Sequence, residues 1–476
     1  MSKRKIAPSA LVLTGLLLAA CTSPAGPQDS GIETPSLWSR LTGSAPAKAD
    51  PTAPLVLGPD AEVEQTWWRR FGDPTLDTLV ADALAGNQTL AMAKARVEEA
   101  QAARGLARSR LLPDISAAGS AQRANQGYAT GDKAVGVAEI DLKATWELDL
   151  FGRNQARMAE ANALLQSEEA TRQGVRVALL AEVARSYFDL RDAIRQIELT
   201  RQNLGTQRRT LEIIRAQRQG ALASDFDVQR AGARVSATEA LIPSLETARD
   251  VALNRLSVLL GRVPGGRDAL LAELPQAKPL NPSVAIAAPA KVLAARPDVR
   301  AAERRFAASL SAKDAATAEL FPNISLAALF GTQTATPMNA TPWGIGLTLV
   351  QPILNFGRIE SQIDAADARQ RQAFLAYQRS VLEALEDMEN ALSRYGHEAG
   401  RNVALATGVA QNRRASELAH TQFTNGYTGL LDVLVAERDL LDAEAAQAAS
   451  DTSLRRNLIA IYAAAGGGWD DSADGR

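Results

Sequence analysis

Few side chains in this 476-residue sequence could do covalent or acid–base chemistry, and those few are scattered. There is one thiol, Cys21, and there are two imidazoles, His397 and His420, both far from it in sequence. Disulfides within the chain are therefore excluded, and a Cys/His metal centre lacks its ligand set. Each histidine falls in a stretch that reads as helix among polar neighbours, the pattern of a solvated surface imidazole, so neither is assigned a role. Adjacent carboxylates such as Glu168-Glu169 and Glu386-Asp387 could share a proton, but such pairs are common on solvated helix faces. No Gly-rich phosphate loop, HExxH, GxSxG or paired-cysteine motif occurs in an apt context. The formal net charge is −2, from 52 basic and 54 acidic residues, which leaves no electrostatic footprint for nucleic acid. The expectation is a chain that is not an enzyme, with no cofactor, no metal and no nucleic-acid partner.

The one reactive group takes its meaning from its position. Lys3, Arg4 and Lys5 precede an apolar run from Leu11 to Ala20 that is too short to span a bilayer comfortably, so residues 1–20 read as a cleaved secretory signal. The run ends in Leu18-Ala19-Ala20-Cys21, which resembles the bacterial lipobox. That resemblance implies a diacylglyceryl group on the Cys21 thiol, with Cys21 as the first mature residue. Thr22 stands where an aspartate would have resembled an inner-membrane retention signal, so outer-membrane sorting is implied. Residues 21–59, rich in Pro, Gly, Ser and Ala, read as an extended lipidated tether. One such anchor binds reversibly, so the protein body must add contact with outer-membrane lipid.

Behind this anchor the chain is a tandem repeat. Leu111-Leu112-Pro113-Asp114-Ile115 recurs as Leu320-Phe321-Pro322-Asn323-Ile324, and Phe151-Gly152-Arg153 recurs as Phe356-Gly357-Arg358, an offset of 356 − 151 = 205. Gly261 and Gly466 match at 205, and Gly220 and Gly426 at 206. The reading is a first repeat over 60–280, a second over 281–469, and a tail over 470–476. Each repeat runs as helix, strand pair and two long helices. Ile140, Leu142, Ala144, Trp146, Leu148 and Leu150 alternate with Asp141, Lys143, Thr145, Glu147 and Asp149, the period of two that gives a strand one apolar and one polar face. Ile324, Leu326, Ala328 and Phe330, then Trp343, Ile345, Leu347 and Leu349, repeat the pattern. A half-buried strand of a soluble sheet would look the same. The length of about ten residues and the outer-membrane address favour tilted transmembrane strands.

After Phe151-Gly152-Arg153 the period changes. Leu180, Val183, Tyr187, Leu190, Ile194 and Ile197 step by three and four, as do Val228, Ala231, Val235, Thr238, Ile242 and Leu245, then Arg249, Ala252, Leu256 and Leu259. These are heptad seams. A helix over 157–218 would measure about 90 Å at about 1.5 Å per residue. The second repeat offers helices over 359–424 and 430–465. Pro243 should kink the rod that contains it. Four strands cannot close a barrel, which needs at least about eight, so the chain must oligomerise: two copies would supply eight strands and three would supply twelve. No apolar helix able to cross the inner membrane follows the signal, so a passive conduit is expected.

Three further segments carry a family resemblance. Trp67-Trp68-Arg69-Arg70-Phe71-Gly72-Asp73-Pro74, Arg296-Pro297-Asp298-Val299-Arg300-Ala301-Ala302-Glu303 and Tyr462-Ala463-Ala464-Ala465-Gly466-Gly467-Gly468-Trp469 resemble signatures of NodT-type outer membrane lipoproteins, relatives of TolC and OprM. The resemblance covers about 67–469. It implies a mostly α fold with a small transmembrane β part: tandem long helical hairpins forming an α-barrel, plus four strands per chain in a homotrimeric twelve-stranded β-barrel. It also implies a periplasmic adaptor (membrane fusion) protein and an inner-membrane transporter, most often of the resistance-nodulation-division class. The implied cargo is drugs, dyes, detergents or metal ions.

The same resemblance suggests site residues. Relatives carry a glycine in each of two periplasmic helix turns near which adaptors dock, here Gly220 and Gly426, although any tight helix turn prefers glycine. At their constriction, relatives place a leucine, then an aspartate four residues on, then an arginine three later. Leu431 and Arg438 fit, but Val435 occupies the aspartate's place and an acid stands instead at Asp432. Helical spacing puts Leu431, Val435 and Arg438 on one face with Asp432 about 100° from Leu431. The expectation is an apolar collar of Leu431 and Val435, with Arg438 tying neighbouring helices. Two alternatives stay open: a protein-secretion duct and a lipid-tethered periplasmic coiled-coil scaffold.

Overall fold

The computed structural model describes residues 28–39, 55–57, 62–125, 134–265, 284–335 and 338–469. Cys21, the signal, most of the 21–59 segment and the 470–476 tail lie outside the described residues. In chain order the elements are β1 (Leu55–Leu57), α1 (Pro74–Gly86), α2 (Gln88–Ser109), β2 (Asp114–Asn125), β3 (Ala134–Leu148), α3 (Arg153–Gln219), α4 (Asp225–Glu239) and α5 (Leu241–Leu259), followed by β4 (Val284–Ile286), α6 (Pro289–Ala295), α7 (Pro297–Thr317), β5 (Asn323–Ala335), β6 (Met338–Ala340), β7 (Trp343–Val350), α8 (Arg358–Thr424) and α9 (Leu430–Ala464). Helices α3 and α8 have 67 residues each and contain no proline, so nothing covalent interrupts their hydrogen-bond ladders.

Pro243 does more than kink its rod. The long helix after the first tip is broken into α4 and α5. Pro243 lacks an N–H, and its ring crowds the carbonyl four residues back. That carbonyl belongs to Glu239, the last residue of α4.

Contacts divide the chain into two compact units, each drawing on both repeats. One holds Lys94–Thr171 and Arg300–Ser380 with the N-terminal segment through Ile32; the other holds Glu33–Ala93, Arg172–Val299 and Val381–Arg476.

The first unit contains the sheet. β2, β3, β5 and β7 pair antiparallel in that order, with short β6 beside the end of β5. The register lines up Ala117, Leu142, Phe330 and Trp343 in one cross-strand row and Ile115, Ala144, Ala328 and Ile345 in the next. This apolar face is bare: Ile140, Phe330, Trp343 and Ile345 are 64%, 61%, 76% and 75% exposed. The opposite face carries Asp141, Lys143, Thr145 and Glu147. Among the described residues, both outer strands, β2 and β7, pair on one side only. Helices α3 and α7 meet in this unit through Ala163, Ala307 and Ala308, and the Ser167 hydroxyl donates to the Ala301 carbonyl at 3.0 Å.

The second unit holds the main core, where Leu180, Val183, Tyr187 and Leu190 of the α3 seam are fully buried. A short parallel pair, β1 with β4, belongs to this unit and was not anticipated. The tether reading also needs correction for residues 28–39. Trp38 is completely buried and its indole donates to the Ala287 carbonyl at 2.9 Å, while Ser39 donates through its amide and hydroxyl to the Glu389 carboxylate. In the first unit Gln28 is held as well, its amide donating to Glu303 and its carbonyl accepting from Tyr377. Gln28, Ser30, Trp38 and Ser39 dock on the helices because their polar groups find partners there.

Candidate functional site at the hairpin tips

Two helix-to-helix turns, α3 to α4 and α8 to α9, close the long hairpins in the second unit. Their backbone hydrogen bonds are the same at an offset of 205. Leu222 N–H donates to the Gln217 carbonyl and Ala221 N–H to that of Arg218; Tyr427 N–H donates to Gln422 and Gly426 N–H to Phe423. This is the Schellman arrangement, which needs a left-handed residue after the helix. Gly426 fills that place with φ +77°, and its counterpart is Ala221 with φ +59°. The sequence match of Gly220 with Gly426 was therefore one residue out of register: Gly220 is not left-handed, and the strained position in the first tip belongs to an alanine.

The next helices start on equivalent caps. In the first tip, Ser224 and Asp227 form a capping box: the Asp227 N–H donates to the serine hydroxyl at 3.2 Å, and the Ser224 N–H donates to the aspartate at 3.0 Å. The Ser224 hydroxyl, which also donates to the Asp227 carboxylate at 2.6 Å, and secondly the Ser224 amide hold the Asp227 carboxyl below the usual carboxylate range. In the second tip, Asp432 takes the Asp227 role, accepting from the Gly429 N–H at 3.3 Å and from the Thr428 hydroxyl. Asp432 thus has a local structural task, which explains an acid one residue after Leu431.

Beyond the caps the tips diverge. Arg218 and Asp225 form a two-point ion pair at 2.7 and 2.9 Å across the first turn, both solvent-exposed. Their counterparts, Phe423 and Leu430, instead join Ile214 and Leu434 in a small apolar cluster. Leu431 and Val435 stand out from α9, 46% and 38% exposed, while Val433 and Leu434 behind them are buried. At the corresponding places on α4, Phe226 is exposed with the Arg230 guanidinium 5.9 Å from its ring centre. Arg438, expected to tie neighbouring helices, pairs within its own helix with Asp439 at 2.8 Å. Leu222 and Tyr427, one residue past the left-handed positions, are 82% and 83% exposed.

Sequence reasoning left His420 as a plain surface residue; the structure corrects this. Its Nε2 lies 3.0 Å from the buried Glu437 carboxylate, which also accepts from the Thr210 hydroxyl at 3.0 Å. A carboxylate in an otherwise helical run carries no local sign of burial, so only the packing reveals it.

The first and third signature segments and the start of the second, from Arg296 to Val299, meet in this unit. The Trp67 ring stacks on Tyr462 with centres 5.5 Å apart. The amides of Gly468 and Trp469 both donate to the Gln65 side-chain oxygen, and the Arg176 guanidinium donates to the Gly468 carbonyl. Arg296 reaches Asp298, Asp387 and the Ala464 carbonyl. A Cβ on Gly467 would lie 2.5 Å from the Glu64 carbonyl oxygen, so the glycine run lets two backbones touch. The signatures are a structural knot.

Comparison with known proteins agrees with this arrangement. A family model described as outer membrane efflux protein matches residues 79–262 and 288–467. The chain is 30% identical to the pyoverdine export outer membrane protein OpmQ of Pseudomonas aeruginosa over 98% of both chains. It is 29% identical to nodulation protein T of Rhizobium leguminosarum bv. trifolii over 86% of this chain and 88% of that protein. Among solved structures, the outer-membrane channel OprN superposes with a TM-score of 0.80 at 32% identity, covering 93% of this chain and 99% of that one.

Proposed function

We propose, from the premise that this chain belongs to the outer membrane efflux protein family, that three copies form one passive exit duct for small molecules. Its place is the outer membrane and its work is efflux. The observation that carries the oligomer is the sheet: four antiparallel strands with a bare apolar face and, among the described residues, an unpaired edge at each side. Open edges are not tolerated in lipid, so β7 of one copy meets β2 of the next; two copies would give eight strands, and the family resemblance favours three, which give the twelve strands of a closed barrel. Polar Asp141, Lys143 and Glu147 then line the lumen. The two sequence repeats, 60–280 and 281–469, are halves of one duplicated unit, each supplying a strand pair and a hairpin.

The finer assignments follow. Cys21 carries the lipid that holds the chain to the outer membrane, with the helices in the periplasm. The duct has no catalytic task; it receives cargo from an inner-membrane transporter, of the resistance-nodulation-division class, through a periplasmic adaptor. The adaptor contacts the turns at Gly220 and Gly426 through their exposed neighbours Leu222 and Tyr427. Leu431 and Val435 form the apolar constriction, Arg438 faces the adjoining helix beyond Asp439, and Asp432 caps α9.

The test is the native mass of the full-length protein extracted by detergent from outer membranes, followed by conductance in planar bilayers. A trimer that conducts is expected. A monomer released without detergent would overturn the reading in favour of a tethered scaffold.

A further inference from the structure

Behind the exposed face of α9 lies a buried polar cluster. Glu437 is 3% exposed and occupies the same two turns that present Leu431 and Val435. Three other helices face it: α3 with the neutral Thr210 hydroxyl, α8 with His420, and α4 with Arg234, whose charge acts on the carboxylate. Gln207 and Thr238 are buried nearby on α3 and α4, and neither their side chains nor Glu437 Oε2 has a partner among the described residues. Burial raises the Glu437 carboxyl above its ordinary value, against the opposing pull of Thr210, His420 and Arg234.

The direction of any pH effect follows. A carboxyl raised by burial binds its proton more tightly in the packed state, so packing is favoured at low pH and weakened as pH rises through the raised value. The His420 ring, with Nε2 3.0 Å from Glu437, closes the cluster on the α8 side. We infer that Glu437, buried among Thr210, His420 and Arg234, forms a proton-operated latch behind the constriction, firming the start of α9 against α3 in acid and loosening it at neutral pH. This rests on the gate reading of Leu431 and Val435.

The experiment is amide hydrogen exchange over 429–438 in the full-length trimer in lipid nanodiscs, at pH 5, 6 and 7, corrected for the chemical exchange rate. Protection should rise about fivefold from pH 7 to 5 in the wild type and stay within about twofold in Glu437→Gln. An equal rise in wild type and Glu437→Gln, or no rise in the wild type, overturns the latch. Exchange needs no conduction, so the two readings separate. Conductance that answers to Leu431→Ala while protection ignores pH sinks the latch alone. A pH-dependent protection in a trimer that never conducts sinks the duct and, with it, the latch as a gate element, leaving only proton-dependent packing.

Discussion

The two hairpin tips share a backbone and differ in what holds them. Both end their long helix on the same pair of hydrogen bonds and begin the next on an acidic cap, 205 residues apart. The first is closed by the exposed Arg218–Asp225 pair and accepts an alanine in a left-handed conformation; the second has glycine there and is closed by Phe423, Leu430 and Ile214. Exposed ion pairs contribute little and are screened, whereas buried apolar contacts are not. The Arg218–Asp225 pair is therefore tuned by solvent, whereas the apolar cluster, which also takes in Ala223 and Val228 of the first tip, is tuned by packing.

The strongest test of that contrast is truncation. Leu430→Ala should cost about 2–3 kcal/mol in the second tip by emptying its cluster, while Arg218→Ala should hardly alter thermal unfolding of the trimer. Equal losses would mean that the tips are held alike. At the constriction, Leu431→Ala should raise single-channel conductance roughly tenfold, equivalent to about 1.4 kcal/mol, whereas Asp432→Asn should change it much less. If Asp432→Asn opens the duct as strongly as Leu431→Ala does, the apolar collar is wrong.

Relief of the strained alanine is a smaller effect. Ala221→Gly should stabilise the first tip by about 0.5–1 kcal/mol, read as slower exchange over 216–226, because glycine takes positive φ without a Cβ clash. A destabilising result would show that Ala221 is not left-handed in the assembled protein. Smallest are the solvent responses. Raising salt should weaken the Arg218–Asp225 pair and leave the apolar cluster unchanged. Acid should act oppositely on the two tips. Asp225 and Asp227 are lowered from 3.8, by Arg218 and by Ser224 respectively, so the hold they supply is present above that value and is lost as pH falls through their lowered values. The second tip, backed by Glu437, should firm as pH falls toward 5. Limited proteolysis of each tip across pH 3 to 7 reads both trends.

Much of the fold could be read because its signals are local. The alternation from Ile140 to Leu148 needs only the two-residue period of a strand, and the structure puts those residues on a bare face in the expected order. The seam from Leu180 to Leu190 needs only steps of three and four. The site was less legible. Composition offered two glycines as turn markers, but φ depends on where the helix stops, and the left-handed pair is Ala221 with Gly426. Asp432 looked like a displaced constriction acid; the start of α9 makes it a cap.

The amino-acid sequence by itself determined the duplicated order of elements, the two-faced strands and the seams, because periodicity is written along the chain. Tertiary structure alone decided that Trp38 is buried against a carbonyl 249 residues away, that the three signature segments form one knot, and that Glu437 lies against His420 and Thr210. Those outcomes depend on which distant surfaces meet, and desolvation acts only once they do.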